Sequence, residues 1–154
     1  MGDADGTNAF DPSVEWEGFA QNTFDDLGSY GEAVPQNDLY ITEYIEGSGF
    51  NKAIEIYNGT GSDVDLSTYS VELYVNGNSS PNGTLGLSGT LVAGDVLVLA
   101  NTGADPVILA EADIQNNAVI NFNGDDAFAL KNNGEFIDVI GQIGTDPGSS
   151  WSNN

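Results

Sequence analysis

Oxygen-bearing side chains near the start of the chain have a spacing that suits a calcium ion. Asp3 and Asp5 alternate with small residues, and the candidate ligands continue with Thr7, Asn8 and Asp11. Ca²⁺ prefers oxygen ligands, and a glycine within this run permits the sharp turn that a calcium loop needs. A helical calcium hand is incomplete here, because its bidentate glutamate position would fall on Pro12. The spacing predicts bound calcium, with an acidic turn capped by its own aspartates as the alternative.

A second acidic pair, Asp125 and Asp126, follows an Asn-Gly dipeptide. Its carboxylates are further candidate metal ligands. The same Asn-Gly-Asp pattern is typical of a tight hairpin turn. Both interpretations stay open from the sequence.

The reactive side chains needed for most catalysis are missing from the composition. The chain has no His and no Cys, and its only basic side chains are Lys52 and Lys131. Neither a Ser-His-Asp nor a Cys-His site can be built, and a nuclease would lack its base and phosphate clamp. Neighbouring acids on a strand point to opposite faces, so Asp25-Asp26 and Asp125-Asp126 are poor acid-base pairs. We predict that the chain is not an enzyme.

The net charge of −22 in 154 residues restricts the partners further. Such a charge repels a phosphate backbone, so we expect no direct nucleic-acid binding. An acidic surface is typical of halophilic adaptation, in which salt screens self-repulsion. No apolar run reaches about 18 residues, so no membrane span is predicted. Without cysteines, stability must come from packing or bound ions.

Exposed aromatic residues could bind a sugar. Tyr40, Tyr44, Tyr57 and Tyr74 fall outside the predicted inward face of their strands. Aromatic rings of this kind stack on glycans, and they also form cross-strand pairs that stabilise a sheet. Carbohydrate binding through Tyr40, Tyr44 and Tyr74 is therefore an alternative function.

Glu43 is predicted to lie on a buried face, because it alternates in phase with Leu39, Ile41 and Ile45. A buried carboxylate needs a partner, and Lys52 begins the next strand. We predict a buried Glu43–Lys52 ion pair. The alternative is an intramolecular isopeptide bond of Lys52, assisted by Glu43.

The elements that position these residues are short strands joined by Gly- and Asn-rich turns. Period-2 alternation predicts strands at Asp38 to Ile45, Lys52 to Tyr57, Tyr69 to Asn76, Val96 to Ala100, Ala118 to Phe122, Ala127 to Leu130 and Glu135 to Ile140. Only Pro106 to Asp113 could hold a helical turn. No helix of crossover length separates the strands, so we expect an all-β, immunoglobulin-like two-sheet sandwich of about seven to nine strands.

The predicted inward faces follow from the alternation of each strand. The expected core comprises Leu39, Ile41, Ile45, Ile54, Ile56, Val71, Leu73, Val75, Phe128, Leu130, Ile137 and Val139, with Val96 and Val98 or Leu97 and Leu99, and with Val119 or Ile120.

Residues 1–32 form an acidic arm that also carries large apolar side chains such as Trp16, Phe19 and Phe24. Leaving these groups in water forfeits about 1.5–3 kcal/mol each, so we expect the arm to dock on the sandwich. Residues 33–37 are the predicted linker, and residues 38–154 the sandwich.

Several segments resemble the bacterial lamin-tail domain. The resemblance begins with Asp38-Leu-Tyr-Ile-Thr-Glu-Tyr-Ile-Glu-Gly47 and Asn51-Lys-Ala-Ile-Glu-Ile-Tyr-Asn58. It continues through Leu91-Val-Ala-Gly-Asp-Val-Leu-Val-Leu-Ala-Asn101, Asn121-Phe-Asn-Gly-Asp-Asp-Ala-Phe-Ala-Leu130 and Ile137-Asp-Val-Ile-Gly-Gln-Ile-Gly-Thr-Asp-Pro-Gly-Ser-Ser-Trp151. The resemblance implies an immunoglobulin-like accessory module of exported bacterial proteins, including extracellular nucleases and phosphatases. It implies no catalytic residues, because fold does not carry function.

In similar proteins a basic strand and then an acidic stretch follow the position of Trp151, whereas here the acidic stretch comes first. The expected explanation is a cut across a tandem repeat, or a split domain whose arm closes its own sandwich. A sheet that normally receives this strand would present open edge amides. We therefore predict a secreted structural or interaction module that binds protein, either an adjacent repeat or a β-strand peptide with basic residues.

Overall fold

The computed structural model describes residues 37–151, which form ten strands and one α-helix. In chain order the elements are β1 (Tyr40–Glu46), β2 (Lys52–Tyr57), β3 (Val64–Asp65), a 3-10 turn (Leu66–Thr68), β4 (Tyr69–Tyr74), β5 (Gly83–Gly86), β6 (Thr90–Leu91), β7 (Val96–Ala100), α1 (Pro106–Glu111), β8 (Ile114–Gln115), β9 (Ala127–Asn132) and β10 (Glu135–Ile140).

The strands build two four-stranded sheets. One has the order β1-β2-β7-β8 and the other β10-β9-β4-β5, while β3 and β6 form a separate pair. All pairings are antiparallel except β7 with β8. The predicted all-β, immunoglobulin-like two-sheet sandwich is confirmed, and α1 lies within the single segment predicted to be helical.

The core fills the space between the two sheets, because alternate residues of the central strands point to the same side. The innermost side chains are Ile54 and Ile56 of β2, Leu97 and Leu99 of β7, Val71 and Leu73 of β4, and Phe128 and Leu130 of β9. Of the two alternatives for β7, the structure selects Leu97 and Leu99. Full burial of such a side chain stabilises the fold by about 1.5–3 kcal/mol.

Two β-bulges shift the alternation in the outermost strands. One interrupts β1 between Ile41 and Glu43, and the other interrupts β10 between Phe136 and Asp138. A bulge adds one residue to a strand, so the side chains beyond it exchange faces. The prediction that Ile45 and Val139 are core residues is therefore wrong, since both are exposed.

The predicted strand from Ala118 to Phe122 is also wrong. This segment is a turn followed by irregular chain, although Val119, Ile120 and Phe122 are all buried. The Asn116 side chain accepts hydrogen bonds from the amides of Ala118 and Val119, and this local bonding replaces a strand ladder. Here the apolar run marks burial rather than a strand.

Turn chemistry follows the sequence closely at the β9–β10 hairpin. Asn133 and Gly134 form its two-residue loop with φ of 51° and 83°. Positive φ at both positions is typical of a type I′ turn and explains the Asn-Gly pair.

The predicted arm (1–32) lies outside the described residues, as does the linker (33–37) apart from Asn37. Docking of the arm on the sandwich stays a prediction.

Candidate functional site

The outermost strands β1 and β10 face each other at one side of the sandwich, one from each sheet. Within residues 37–151, neither strand has a neighbour on its outer side. The backbone amide of Ile41 donates a hydrogen bond to Oδ2 of Asp138 at 2.8 Å, which links the two strands. We call the outer sides of these two strands the β1–β10 edge. The opposite edges end in shorter strands, β8 and β5.

Asp138 provides the charge at this edge. It is half-buried, and it aligns with Leu130 of β9, whose side chain is in the core. Its second oxygen accepts a hydrogen bond from the Val139 amide at 2.9 Å. The ion pairs among residues 37–151 are Lys52–Glu46 and Lys131–Glu72, so no described base neutralises Asp138. An inward-pointing charge on an edge strand discourages unspecific pairing.

Asp38 fixes the start of β1 to the other sheet. Its carboxylate accepts hydrogen bonds from the Leu39 amide at 2.8 Å, the Tyr69 hydroxyl at 2.6 Å and the Asn132 side chain at 3.1 Å. Burial, together with the bond to Asp38, raises the pKa of Tyr69 above its ordinary value. The start of β1 is therefore held in place by hydrogen bonds to strands β4 and β9 of the other sheet.

Trp151 lies where β1 and β10 both end. Its amide donates to Gly124 O at 2.7 Å, and its indole Nε1 donates to Asp126 O at 2.9 Å. A Cβ on Gly141, next to the end of β10, would lie 2.7 Å from Trp151 Nε1. A Cβ on Gly124 would lie 3.3 Å from a carboxylate oxygen of Glu46, the last residue of β1. Trp151 therefore marks one end of the β1–β10 edge.

The structure corrects the predicted Glu43–Lys52 ion pair. The bulge in β1 turns Glu43 outward, so it is exposed and lies opposite Glu55 of β2. Lys52 is buried, with Nζ 3.8 Å from Glu46 Oε1 and 5.7 Å from the centre of the Phe122 ring. Lys52 therefore forms its ion pair with Glu46 instead of Glu43. Because Glu43 points outward, it is not positioned to assist an isopeptide bond of Lys52.

The tyrosines predicted to stack on a ligand are mostly used within the fold. Tyr44 points inward beyond the bulge and stacks on Phe122 with ring centres 4.4 Å apart. Tyr74 is buried, and its hydroxyl donates to Glu72. Burial raises the pKa of both hydroxyls. Tyr40 packs edge-on against Tyr57 at 5.6 Å, as a cross-strand pair. The expectation that Tyr44 lies outside the inward register is wrong. Tyr74 does alternate with the inward Val71 and Leu73, but it is buried on the other face of its sheet, in a cluster with Ala127, Ala129 and Ile143.

Asp126 serves a turn rather than an open ligand set. Its carboxylate is buried and accepts hydrogen bonds from the amides of Asn76 at 3.0 Å and Asn123 at 2.9 Å. Because residues 118–122 form no strand, the turn precedes β9 without closing a hairpin. In the described part of the chain, no three His, Cys, Asp or Glu side chains form a group that could hold a metal, including around Asp125.

The first calcium candidate, formed by Asp3, Asp5, Thr7, Asn8 and Asp11, lies outside the described residues. Calcium binding there stays a prediction.

Sequence reasoning missed Asp138 and Asp38 as edge residues. The alternation of Glu135 to Ile140 places Asp138 on the polar side, and only the bulge brings it toward β1. A signal was available for Asp38, since an acid directly before a strand often bonds to nearby amides.

A family model for the Lamin Tail Domain matches residues 32–144, more than two thirds of the chain. No curated protein matches the sequence. From residue 37 to residue 151, no helix has the length and apolar character to cross a bilayer. The chain therefore belongs to the lamin tail domain family, a group of non-catalytic immunoglobulin-like modules, and the predicted resemblance is confirmed.

Proposed function

We propose that this lamin tail domain is a non-catalytic interaction module of a larger exported, acidic protein, and that its β1–β10 edge accepts an extended basic segment of a partner. Among residues 37–151, no strand pairs with the outer side of β1 or of β10, and these two sides carry the proposal. An extended segment added there would satisfy edge amides and bury alternate side chains, as in other cases of strand addition.

The charge of the edge selects the partner's chemistry. Asp138 sits between the two strands without a described basic partner, and the whole chain has a net charge of −22. A Lys or Arg in the incoming segment would pair with this half-buried carboxylate, where screening by solvent is weaker than at a fully exposed site. Salt should weaken binding without abolishing it, because backbone hydrogen bonds and apolar contacts are less sensitive to screening.

Location outside the cell is inferred from the sequence and the family. Twenty-four acidic side chains against two basic ones suit a salty exterior, in which salt screens their mutual repulsion. The similar bacterial modules named above occur in exported proteins.

The proposal is tested by calorimetric titration with a capped heptapeptide in which valine and arginine alternate. Asp138→Asn removes the charge but keeps an oxygen that can accept from the Ile41 amide. We expect this variant to bind about fivefold more weakly than the parent. The matched control is Glu135→Gln, which removes one exposed charge at the far end of β10.

Affinity within twofold of the parent for Glu135→Gln, with unchanged thermal melting of both variants, supports the assignment. Equal affinity for the parent and Asp138→Asn, or no saturable binding by the parent, contradicts it.

A further inference from the structure

A second surface on the same sheet lies on its outward side, away from the core. A groove of about 560 Å³ runs over β1, β2 and β7 and is bounded by α1. This volume falls within the roughly 300–1,000 Å³ typical of ligand pockets. We call it the outer groove. It is formed by side chains of the strand faces, whereas the β1–β10 edge is formed by backbone.

The floor of the outer groove is apolar. Ile45, Val96 and Val107 are exposed there, with exposed fractions of 38%, 40% and 75%. Val98 of β7 also lines the groove and is half-buried. Covering a surface of this kind with an apolar side chain is favourable, because it removes apolar area from water.

Five carboxylates surround this floor: Glu43, Glu55, Asp95, Glu111 and Asp113. Glu43 and Glu55 are direct cross-strand neighbours, so two like charges face each other. Like charges in this position destabilise a sheet. Thr42 Oγ1 donates to Glu55 Oε1 at 2.6 Å, but no ion pair formed by residues 37–151 involves either glutamate.

We infer that the outer groove binds a basic segment of a partner protein, with an Arg or Lys placed between Glu43 and Glu55 and a neighbouring apolar side chain over Val98 and Val107. The cation removes the repulsion between the two glutamates, and the apolar floor anchors the adjoining side chain. This surface is separate from the β1–β10 edge and does not depend on strand addition.

The charge balance of the chain argues against its own segments as occupants. Residues 1–36 contain eight carboxylates and no base, so they offer no cation to pair with Glu43 and Glu55. A second copy of the chain carries the same charge of −22. Both lysines are already paired, Lys52 with Glu46 and Lys131 with Glu72. A basic partner is the occupant that the charges favour.

The test uses the capped tripeptide Leu-Arg-Leu, which is too short to pair along the seven residues of β1. Methyl-resolved NMR of the full chain should show saturable shifts at Val98 and Val107. The double variant Glu43→Gln with Glu55→Gln should weaken binding by about fivefold, since two favourable charge contacts are lost. The control double variant, Glu135→Gln with Asp146→Asn, removes the same charge outside the groove and should change affinity less than about twofold.

Two further outcomes separate this site from the edge. Asp138→Asn should leave tripeptide binding unchanged, and Val107→Ser should weaken it without affecting folding, because Val107 is largely exposed. The inference is overturned if both double variants lose affinity equally, if Leu-Glu-Leu binds as well as Leu-Arg-Leu, or if no saturable shifts occur at the valine methyls.

Discussion

Replacement of Asn58 by aspartate tests how the end of β2 is held. Asn58 is fully buried. Its Nδ2 donates to Ser62 O at 2.9 Å and Leu91 O at 2.8 Å, and its Oδ1 accepts from the amide and the hydroxyl of Thr60. Every hydrogen-bonding position of this amide is therefore satisfied without water. Asn58-Gly-Thr60 also matches the sequence pattern for N-glycosylation, and the burial of Asn58 closes it to a glycan in the folded state.

Asn58→Asp has the same shape but removes both donors and introduces a charge. The buried Leu91 carbonyl loses its Asn58 donor, whereas the Ser62 carbonyl still accepts from the Thr60 hydroxyl at 3.0 Å. An unsatisfied buried group costs about 1–3 kcal/mol. We expect a loss of about 3–5 kcal/mol in the free energy of unfolding, because a buried carboxylate adds to the cost. This corresponds to a fall of about 10 °C in melting temperature.

Urea and thermal unfolding, followed by circular dichroism at neutral and acidic pH, measure this loss. Burial raises the pKa of the introduced aspartate, so its destabilisation should be largest at neutral pH. It should shrink near about pH 4, where the neutral acid regains one donor. The control is Asn78→Asp, whose amide donates only to the exposed Asn82 side chain and should change stability by less than about 0.5 kcal/mol. Equal melting of the two variants would refute the reasoning.

Three other predictions follow from the charges and hydroxyls. Glu43→Gln should raise the free energy of unfolding by about 0.2–1 kcal/mol at low salt, by relieving repulsion from Glu55, and the gain should vanish in high salt; a destabilised variant would contradict this. The raised pKa of Tyr69 means that the folded hydroxyl stays protonated where the unfolded one ionises, so stability should fall above about pH 10. Tyr69→Phe should reduce that fall without removing it, because the pKa values of Tyr44 and Tyr74 are raised as well. Melts across alkaline pH measure the slope, and an unaltered slope would count against the prediction. Ca²⁺ should raise the melting temperature more than NaCl of equal ionic strength, and Asp5→Ala should remove the difference. Equal shifts with both salts would leave halophilic screening as the explanation.

The sequence predicted the central strands well because burial on one face fixes their alternation. Strands β2 and β7 begin and end at the residues that the alternation predicted. The hairpin at Asn133 was equally predictable, because few residues tolerate positive φ.

The edge strands could not be predicted in the same way. Whether a strand contains a bulge depends on tertiary packing, which the alternation of one strand does not show. In β1 the one extra residue exchanges the faces of Glu43, Tyr44 and Ile45. The same exchange of faces explains why Lys52 pairs with Glu46 and not with the predicted Glu43. The buried run from Ala118 to Phe122 failed for another reason, since irregular chain can bury apolar residues when side chains such as Asn116 satisfy its amides.

The role of the β1–β10 edge is tested most directly by residue-resolved hydrogen exchange, with and without the valine-arginine heptapeptide. Strand addition predicts that amides along the outer side of β1 become at least about tenfold slower to exchange, while amides of central β9 stay unchanged. Asp138→Asn should reduce this protection at equal peptide concentration. Peptide binding that leaves the exchange of β1 and β10 amides unaltered would contradict the claim that this edge accepts a strand.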